Sequence, residues 1–155
     1  MGKSYDPAMH SAEHMLNQTM VRMFQCGRCV NAHIEKKKSR IDYRFTRDLT
    51  SDEVAEIERR MNELIRADLP VREEFLSRSE AAKLFSLGKV PDDAGEILRI
   101  IHIGTYDACP CIGMHVPSTA KIGEFRIVSS GYESGILRLR FKLASPGKPQ
   151  CRDRS

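Results

Sequence analysis

The alternation of apolar and polar residues along the chain predicts a mixture of short helices and strands. In three segments apolar residues recur at helical spacing behind a residue that can cap a helix. These predicted helices run from Asp6-Pro7 to Gly27, from the capping box at 50–53 to Pro70, and from the capping box at 77–80 to Phe85. Six other segments alternate with period two or are apolar throughout, as strands do. They cover residues 29–34, 40–45, 71–76, 97–103, 122–128 and 136–143.

The connections between these elements complete the predicted architecture. Loops are expected at 36–39, 91–95, 104–119 and 131–135, and the residues from Ser145 onward are expected to form a flexible tail. An order of helix, two strands, helix and further strands favours an α+β fold, a two-layer domain in which an antiparallel sheet packs against helices. The length of 155 residues fits one domain over residues 1–144, followed by the tail at 145–155.

Composition narrows the class of protein. Hydrophobic residues make up 41% of the chain, and no apolar run approaches the roughly 20 residues that a membrane span needs. The first ten residues are polar and lack a secretory signal. We therefore expect a cytoplasmic protein without membrane contact, whose five cysteines are thiols or metal ligands rather than disulfides. Cys26 and Cys29 have zinc-knuckle spacing but lack a second pair, which favours a structural thiol pair over a second metal or a redox motif.

Two pentapeptides far apart in the chain carry the candidate chemistry. Residues 10–14 read His-Ser-Ala-Glu-His inside the first predicted helix, so both histidines lie on one face, one turn apart. Residues 111–115 read Cys-Ile-Gly-Met-His in a predicted loop. Imidazole and thiolate donors together favour tetrahedral zinc, whereas a histidine pair alone is more often an ordinary surface or core feature. The predicted zinc ligands are His10, His14, Cys111 and His115, while His33 and His102 are expected to be ordinary strand residues.

Glu13 raises a different possibility. Together with His10 and His14 it matches the inverted zincin peptidase motif, in which the glutamate is the general base. Such peptidases take a third ligand from a downstream carboxylate, and this chain offers a cysteine and a histidine instead. A peptidase is therefore the least favoured function. Glu13 is expected beside the metal or facing solvent, as a candidate catalytic residue together with Cys111, whose thiolate could act as a base toward water.

Basic residues predict a surface for nucleic acid. In the last predicted strand Arg138 and Arg140 alternate with leucines, so one sheet face is apolar and the other cationic. Lys36, Lys37 and Lys38 occupy a turn. These five residues are candidate contacts to RNA phosphates, which position RNA without reading its sequence. A merely solvated face is the alternative, and the formal net charge of +4 is compatible with a polyanionic partner without requiring one.

The two pentapeptides and their flanks together resemble the editing domain shared by alanyl- and threonyl-tRNA synthetases. Little precedes the first histidine, so the closest resemblance is to the short free-standing AlaX-type trans-editing proteins. The similarity runs over residues 10–143, with further similar segments at 40–43, 62–65, 69–71 and 123–127. Alanyl-type domains usually read Cys-Gly-Gly-Thr-His where this chain has Ile112 and Met114. Cys109 is an additional thiol, and residues 26–29 replace a glycine-rich stretch.

The resemblance implies a zinc cofactor and ATP-independent hydrolysis of an amino acid wrongly esterified to tRNA. The expected substrate is serine or glycine on alanine tRNA, bound through the tRNA acceptor end, and the oligomeric state stays open. A binding pocket rejects a substrate that differs by one small group by only about 100-fold, so a second site must remove the errors. The altered Ile112 and Met114 leave an alternative, a zinc-stabilised RNA-binding module without catalysis. Zinc with four protein ligands is also typical of structural sites.

Overall fold

The computed structural model describes residues 6–85, 87, 90 and 95–144, and the structural statements below concern these residues. The helices are α1 (Pro7–Phe24), α2 (Ser51–Arg66) and α3 (Arg78–Leu84), and a short 3-10 helix covers Thr119–Ile122. The strands are β1 (Asn31–His33), β2 (Ser39–Arg44), β3 (Val71–Ser77), β4 (Ile97–Ile103), β5 (Asp107–Pro110), β6 (Glu124–Glu133) and β7 (Ile136–Ala144). The predicted tail from Ser145 and residues 91–94 of a predicted loop lie outside the described residues.

The strands form two antiparallel sheets with helices packed against them, which confirms the predicted α+β class. The larger sheet has the strand order β1-β2-β7-β6, and the smaller has the order β3-β4-β5. The sequence does not indicate this division, because alternation identifies strands without identifying their partners. In the structure β3 pairs with β4 from Val71 to Ser77, so these two strands form a sheet of their own with β5.

The main core lies between the inner face of the larger sheet and the helices α1 and α2. Burial alternates along β7, where Leu137, Leu139 and Phe141 are buried and the arginines between them are partly exposed on the outer face. Each such buried apolar side chain stabilises the fold by about 1.5–3 kcal/mol. A smaller core, built on Ala81, Leu98 and Ile100, joins α3 to the smaller sheet.

Two predicted connections differ from the structure. The predicted loop at 104–119 contains the strand β5, which is too short to produce a recognisable alternation. The predicted five-residue turn at 131–135 is wrong, because β6 continues to Glu133 and only Ser134 and Gly135 connect it to β7. Both turn residues have positive φ, at 52° and 86°, as the tightest hairpin turns require.

The start of α1 determines where the first histidine lies. Asp6 is the N-cap, and its carboxylate accepts a hydrogen bond of 3.1 Å from the backbone N–H of Met9. Pro7 follows at the first helical position, where its missing N–H costs no hydrogen bond. His10 and His14 therefore lie in the first turns of a helix whose start is fixed, and α1 packs against β5, which leads into residues 111–115.

Candidate metal centre

The structure brings together the four residues that the sequence singled out as zinc ligands. One donor atom from each of them lies within 4.8 Å of the donor atoms of the other three. His10 and His14 come from α1, and Cys111 and His115 come from the loop after β5. The three imidazole rings are in mutual contact, with centroids 4.3–4.9 Å apart. Both histidines on α1 are buried, whereas Cys111 and His115 are partly exposed.

Each histidine in the cluster is oriented by a second contact. His10 Nδ1 lies 3.2 Å from the carbonyl oxygen of Met114, which leaves Nε2 pointing at Cys111 Sγ, 3.4 Å away. His115 Nδ1 lies 2.9 Å from Ser11 Oγ, and His14 Nδ1 lies 3.7 Å from a carboxylate oxygen of Asp107. Such outer contacts are what hold metal-binding imidazoles in place.

The donor set and its spacing fit zinc. His115 Nε2 is buried and has no hydrogen-bond partner among the described residues, although a buried ring nitrogen is normally satisfied. In a tetrahedral zinc site neighbouring nitrogen and sulfur ligands are about 3.5 Å apart, and the distance from Cys111 Sγ to His10 Nε2 is 3.4 Å. One thiolate and three imidazoles are the soft and intermediate donors that zinc prefers.

Gly113 allows the ligand loop to pass close to His10. A Cβ atom on this residue would lie 2.2 Å from Cε1 and 2.5 Å from Nδ1 of the His10 ring. Any side chain here would displace the imidazole from the position that faces Cys111. The neighbouring residues Ile112 and Met114 are 83% and 66% exposed, so these departures from the usual editing-domain pattern lie on the surface of the loop.

The charges in the cluster suit a cation at its centre. Burial raises the pKa of the Cys111 thiol, but contacts with His10, His115 and His14 outweigh it and lower the pKa to about 3. Burial lowers the pKa of His115 to about 4, so its ring is neutral near pH 7. Burial also opposes the charged form of His14, yet Asp107 and Cys111 raise its pKa to about 9. A metal ion held by the four donors would replace the extra proton of His14, since a metal-binding imidazole is neutral.

Asp107, on β5, is a supporting residue that the sequence did not single out. Its buried carboxylate accepts hydrogen bonds from Arg28 Nη1 at 2.8 Å and Gln18 Nε2 at 2.9 Å, besides facing His14. Burial raises its pKa, but His14 and Arg28 outweigh this and lower the pKa to about 2. A lone aspartate in a segment predicted as loop gives no signal of this role.

Arg99 is the second supporting residue missed at the sequence level. Its guanidinium Nη1 donates to the carbonyl oxygens of Cys111 at 3.1 Å and Gly113 at 2.8 Å, and its Nε donates to Glu73 at 2.9 Å. The side chain thus fixes the backbone of the ligand loop from β4. The sequence does contain a signal for this role, because Arg99 is a charged residue inside a nearly continuous apolar strand. A charge in such a strand needs a partner.

A cavity of about 480 Å³ adjoins the cluster. Its described lining residues are His10, Glu13, His14, Asn17, Arg28, Cys29, Val30, Val90, Cys109, Pro110 and Cys111. The Glu13 side chain is only 16% exposed, and its Oε1 lies 3.7 Å from His10 Nε2. Its other oxygen accepts a hydrogen bond of 3.7 Å from the Cys29 thiol. Glu13 therefore lies beside the cluster at the cavity wall.

The remaining cysteines and histidines lie outside the cluster. Cys26, Cys29 and Cys109 form no disulfide in the described part of the chain. Burial raises the pKa of Cys109 to about 11, so this thiol stays protonated. His33 and His102 lie on strands, as predicted, each against a glutamate at 2.9 Å and 2.7 Å.

The predicted RNA contacts lie on β7 of the larger sheet and in the turn between β1 and β2. Arg138 forms two hydrogen bonds to the carboxylate of Asp42, at 2.9 and 3.1 Å. Arg140 faces Arg40 across the β2–β7 pair. The three lysines at 36–38 are exposed between β1 and β2. The candidate RNA contacts therefore come from elements other than those that supply the donor cluster.

Comparison with known proteins agrees with the geometry. The model of the threonyl and alanyl tRNA synthetase second additional domain matches residues 98–140, which include Cys111 and His115. The alanine–tRNA ligase of Methanocella arvoryzae is 38% identical over 146 residues, covering 87% of this chain and 16% of that relative. Those of Methanopyrus kandleri and Bacillus subtilis are 32% and 33% identical over 85% and 84% of this chain, and over 15% of each relative.

Two further facts bound the comparison. The chain spans about one sixth of the length of these alanine–tRNA ligases. None of the helices in the described part of the chain is both long enough and apolar enough to cross a membrane. The chain is related to alanine–tRNA ligases and to the second additional domain of threonyl- and alanyl-tRNA synthetases, which confirms the resemblance predicted from its two pentapeptides.

Proposed function

We propose that this chain edits tRNA by hydrolysing the ester that joins a wrong amino acid to the 3′ end of the molecule. The observation that carries the proposal is the cavity beside the four-donor cluster, in a chain related to alanine–tRNA ligases. The substrate is serine or glycine esterified to alanine tRNA, presented by the acceptor end. We also propose that residues 1–144 form the editing domain. In this proposal the domain acts in trans, in the cytoplasm.

His10, His14, Cys111 and His115 hold a zinc ion in this proposal. Bound zinc would supply a Lewis acid able to polarise an ester carbonyl or acidify a water molecule if one of the four protein ligands gave up its position. The protein holds the donors through the contacts of Ser11, Asp107 and Arg99 described above. An aminoacyl ester is already activated, so a positioned water and stabilisation of the developing oxyanion are the main requirements.

Glu13 is the residue best placed for proton handling and for binding the substrate. Its carboxylate lies on the cavity wall beside His10, within reach of a small molecule in the cavity. In its charged form it can accept a proton from the attacking water or bind the α-ammonium group of the aminoacyl ester. Either role places the reacting ester next to the donor cluster.

Cys111 fits the role of a ligand better than that of a base. Its Sγ accepts a hydrogen bond of 3.4 Å from the Gly113 backbone N–H and lies 3.4 Å from His10 Nε2. A thiolate stabilised by these contacts has a lowered pKa and is correspondingly a weak base. The catalytic importance of Cys111 in this proposal therefore comes from holding the metal.

The alternative is a zinc-stabilised RNA-binding module without catalysis. The four protein donors favour it, because a complete tetrahedral set is typical of structural zinc. A peptidase is less favoured, because the residues that join the helical histidines are a cysteine and a third histidine rather than a carboxylate. The cavity and Glu13 favour hydrolysis over the inert module.

The deciding experiment is deacylation measured on four substrates, serine and glycine each esterified to alanine tRNA and to threonine tRNA. We expect faster release of serine or glycine from alanine tRNA than from threonine tRNA, and loss of this activity in Glu13→Gln with zinc retained. Glu63→Gln, which removes an exposed carboxylate on α2, is the matched control. Release of no amino acid from any of the four substrates would exclude the enzyme and leave the RNA-binding module.

A further inference from the structure

Two arginines face each other on the outer side of the larger sheet without an acid between them. Arg40 on β2 is directly opposite Arg140 on β7 in the strand register. Like charges directly opposite each other in an antiparallel pair destabilise the sheet. The next pair along the same two strands is arranged differently, because Asp42 is opposite Arg138 and binds it through two hydrogen bonds.

Among the described residues no carboxylate forms an ion pair with Arg40 or Arg140, although the charge of Arg40 helps to lower the pKa of the nearby Asp42. Arg40 Nε is buried and has no hydrogen-bond partner in this part of the chain. No hydrogen bond or ion pair joins the guanidinium of Arg140 to another described side chain, whereas the nearby Glu35 carboxylate is 2.9 Å from His33 Nε2. Two cations and an unsatisfied donor at one place favour an anion supplied from outside the chain.

A cleft of suitable size lies at this pair. It has a volume of about 160 Å³. Its lining residues are His33, Glu35, Lys38, Ser39, Arg40 and Arg140. This is the space of about five water molecules, enough for one phosphate group with part of its hydration. Lys38 adds a third cation, and planar guanidinium groups are well suited to binding phosphate oxygens.

We propose that Arg40 and Arg140, assisted by Lys38, bind one phosphodiester group of an RNA backbone. The identity of the RNA as tRNA rests on the proposed function, but the anion site does not. A polymer is favoured over a free phosphate because Arg140 also lines an adjoining hollow of about 610 Å³, whose lining includes Arg138 and Ser129 besides the acids Asp42 and Glu133. The site is thus one point on a longer polar track along the outer face of the sheet.

The test compares tRNA affinity at several salt concentrations for the full chain and for Arg40→Gln, Arg140→Gln and the double variant. Loss of one phosphate contact reduces the slope of log K against log salt by about 0.9, which corresponds to about eightfold weaker binding in 0.1 M salt. Because both arginines hold the same phosphate, the double variant should lose little more than either single variant. A slope reduced by about 2 in the double variant would show two separate contacts and overturn the shared site.

Two control variants distinguish a general loss of charge from the loss of these two arginines. Lys83→Gln removes one positive charge from the exposed side of α3, and Arg59→Gln with Glu63→Gln removes an exposed ion pair of α2 without changing net charge. Both should leave the slope unchanged. Removal of the like-charge pair should leave the melting temperature of Arg140→Gln equal to or above that of the wild type, which shows that the variant is folded. An unchanged slope in folded Arg40→Gln and Arg140→Gln would overturn the proposal.

The same variants show whether the cleft binds another ligand, and they test the anion site separately from the proposed function. If inorganic phosphate raises the melting temperature of the wild type but the variants bind tRNA normally, the cleft binds free phosphate and the proposal fails. If the variants lose affinity for polyglutamate alone, the ligand is an acidic peptide and the proposal also fails. A chain that deacylates no tRNA but needs both arginines to bind it supports the anion site while refuting the editing function. If the double variant deacylates tRNA with an unchanged KM, the editing function is supported and the anion site is refuted.

Discussion

The donor cluster and the outer face of the larger sheet illustrate two ways of holding charge. In the cluster every histidine has a second contact within the protein, and Arg99 and Asp107 hold the surrounding backbone and ring. On the sheet face Arg40 and Arg140 have no such support among the described residues. The first arrangement positions ligands before a small ion arrives, and the second leaves space for a larger, mobile partner.

Loss of one donor should have the largest effect. His14→Ala removes an imidazole that no nearby described side chain can replace, so we expect the purified variant to lose its zinc and its deacylase activity to fall by more than about 100-fold. His102→Ala, a substitution on β4 outside the cluster, should keep about one zinc per chain. Metal analysis and deacylation assays check both variants. Full activity in metal-free protein would contradict the zinc site.

The two cysteines at the end of β5 should behave differently. Cys111→Ser replaces a thiolate by a poor zinc ligand, so we expect metal and activity to be lost together. Cys109→Ser should keep both, because burial keeps the Cys109 thiol protonated. Zinc content and single-turnover deacylation are to be measured on both single variants and on the double variant. If zinc is lost only in Cys109→Ser, the ligand has been assigned to the wrong cysteine.

A smaller loss is expected from the glycine of the ligand loop. Gly113→Ala places a methyl group against His10, so zinc affinity should fall by about 10- to 100-fold while the donors remain. Gly131→Ala on β6 is the matched control, since its Cβ would meet no atom within 4 Å. Competition with a coloured chelator measures both affinities. Equal affinities in the two variants would show that the loop adjusts freely around His10.

The smallest effect should come from the neutralised pair on the sheet. The hydrogen bond from Arg138 holds the pKa of Asp42 below its usual value. The pair therefore stabilises the fold fully at pH values above the usual pKa of an aspartate. This stabilisation is lost as the pH falls through the lowered pKa. Asp42→Asn should lower the melting temperature at pH 7 by at most about 4 °C, with a smaller difference near pH 2. Thermal unfolding at several pH values measures this, and a difference that grew on acidification would contradict it.

The donors were predictable from sequence because their spacing has a direct geometric meaning. Two histidines four residues apart on a helix must share a face, and a helix start at Asp6-Pro7 is a strong local signal. Their supports were not predictable, because Asp107 and Arg99 act through tertiary contacts from strands whose pairing the sequence does not reveal. The same limit applies to the arginines of β7, since only the strand register shows that Arg138 faces an acid and Arg140 faces an arginine.

The distance along the chain between the two halves of the cluster has a consequence for folding. Cys111 and His10 are 101 residues apart in sequence but in contact in the structure. A chain emerging from the ribosome therefore carries the helical histidines long before their partners exist, and α1 alone offers only two donors. A cross-link across about 100 residues removes roughly 4.7 kcal/mol of loop entropy from an unfolded chain. Metal captured by all four donors would thus mark chains that have completed folding and would resist their reopening.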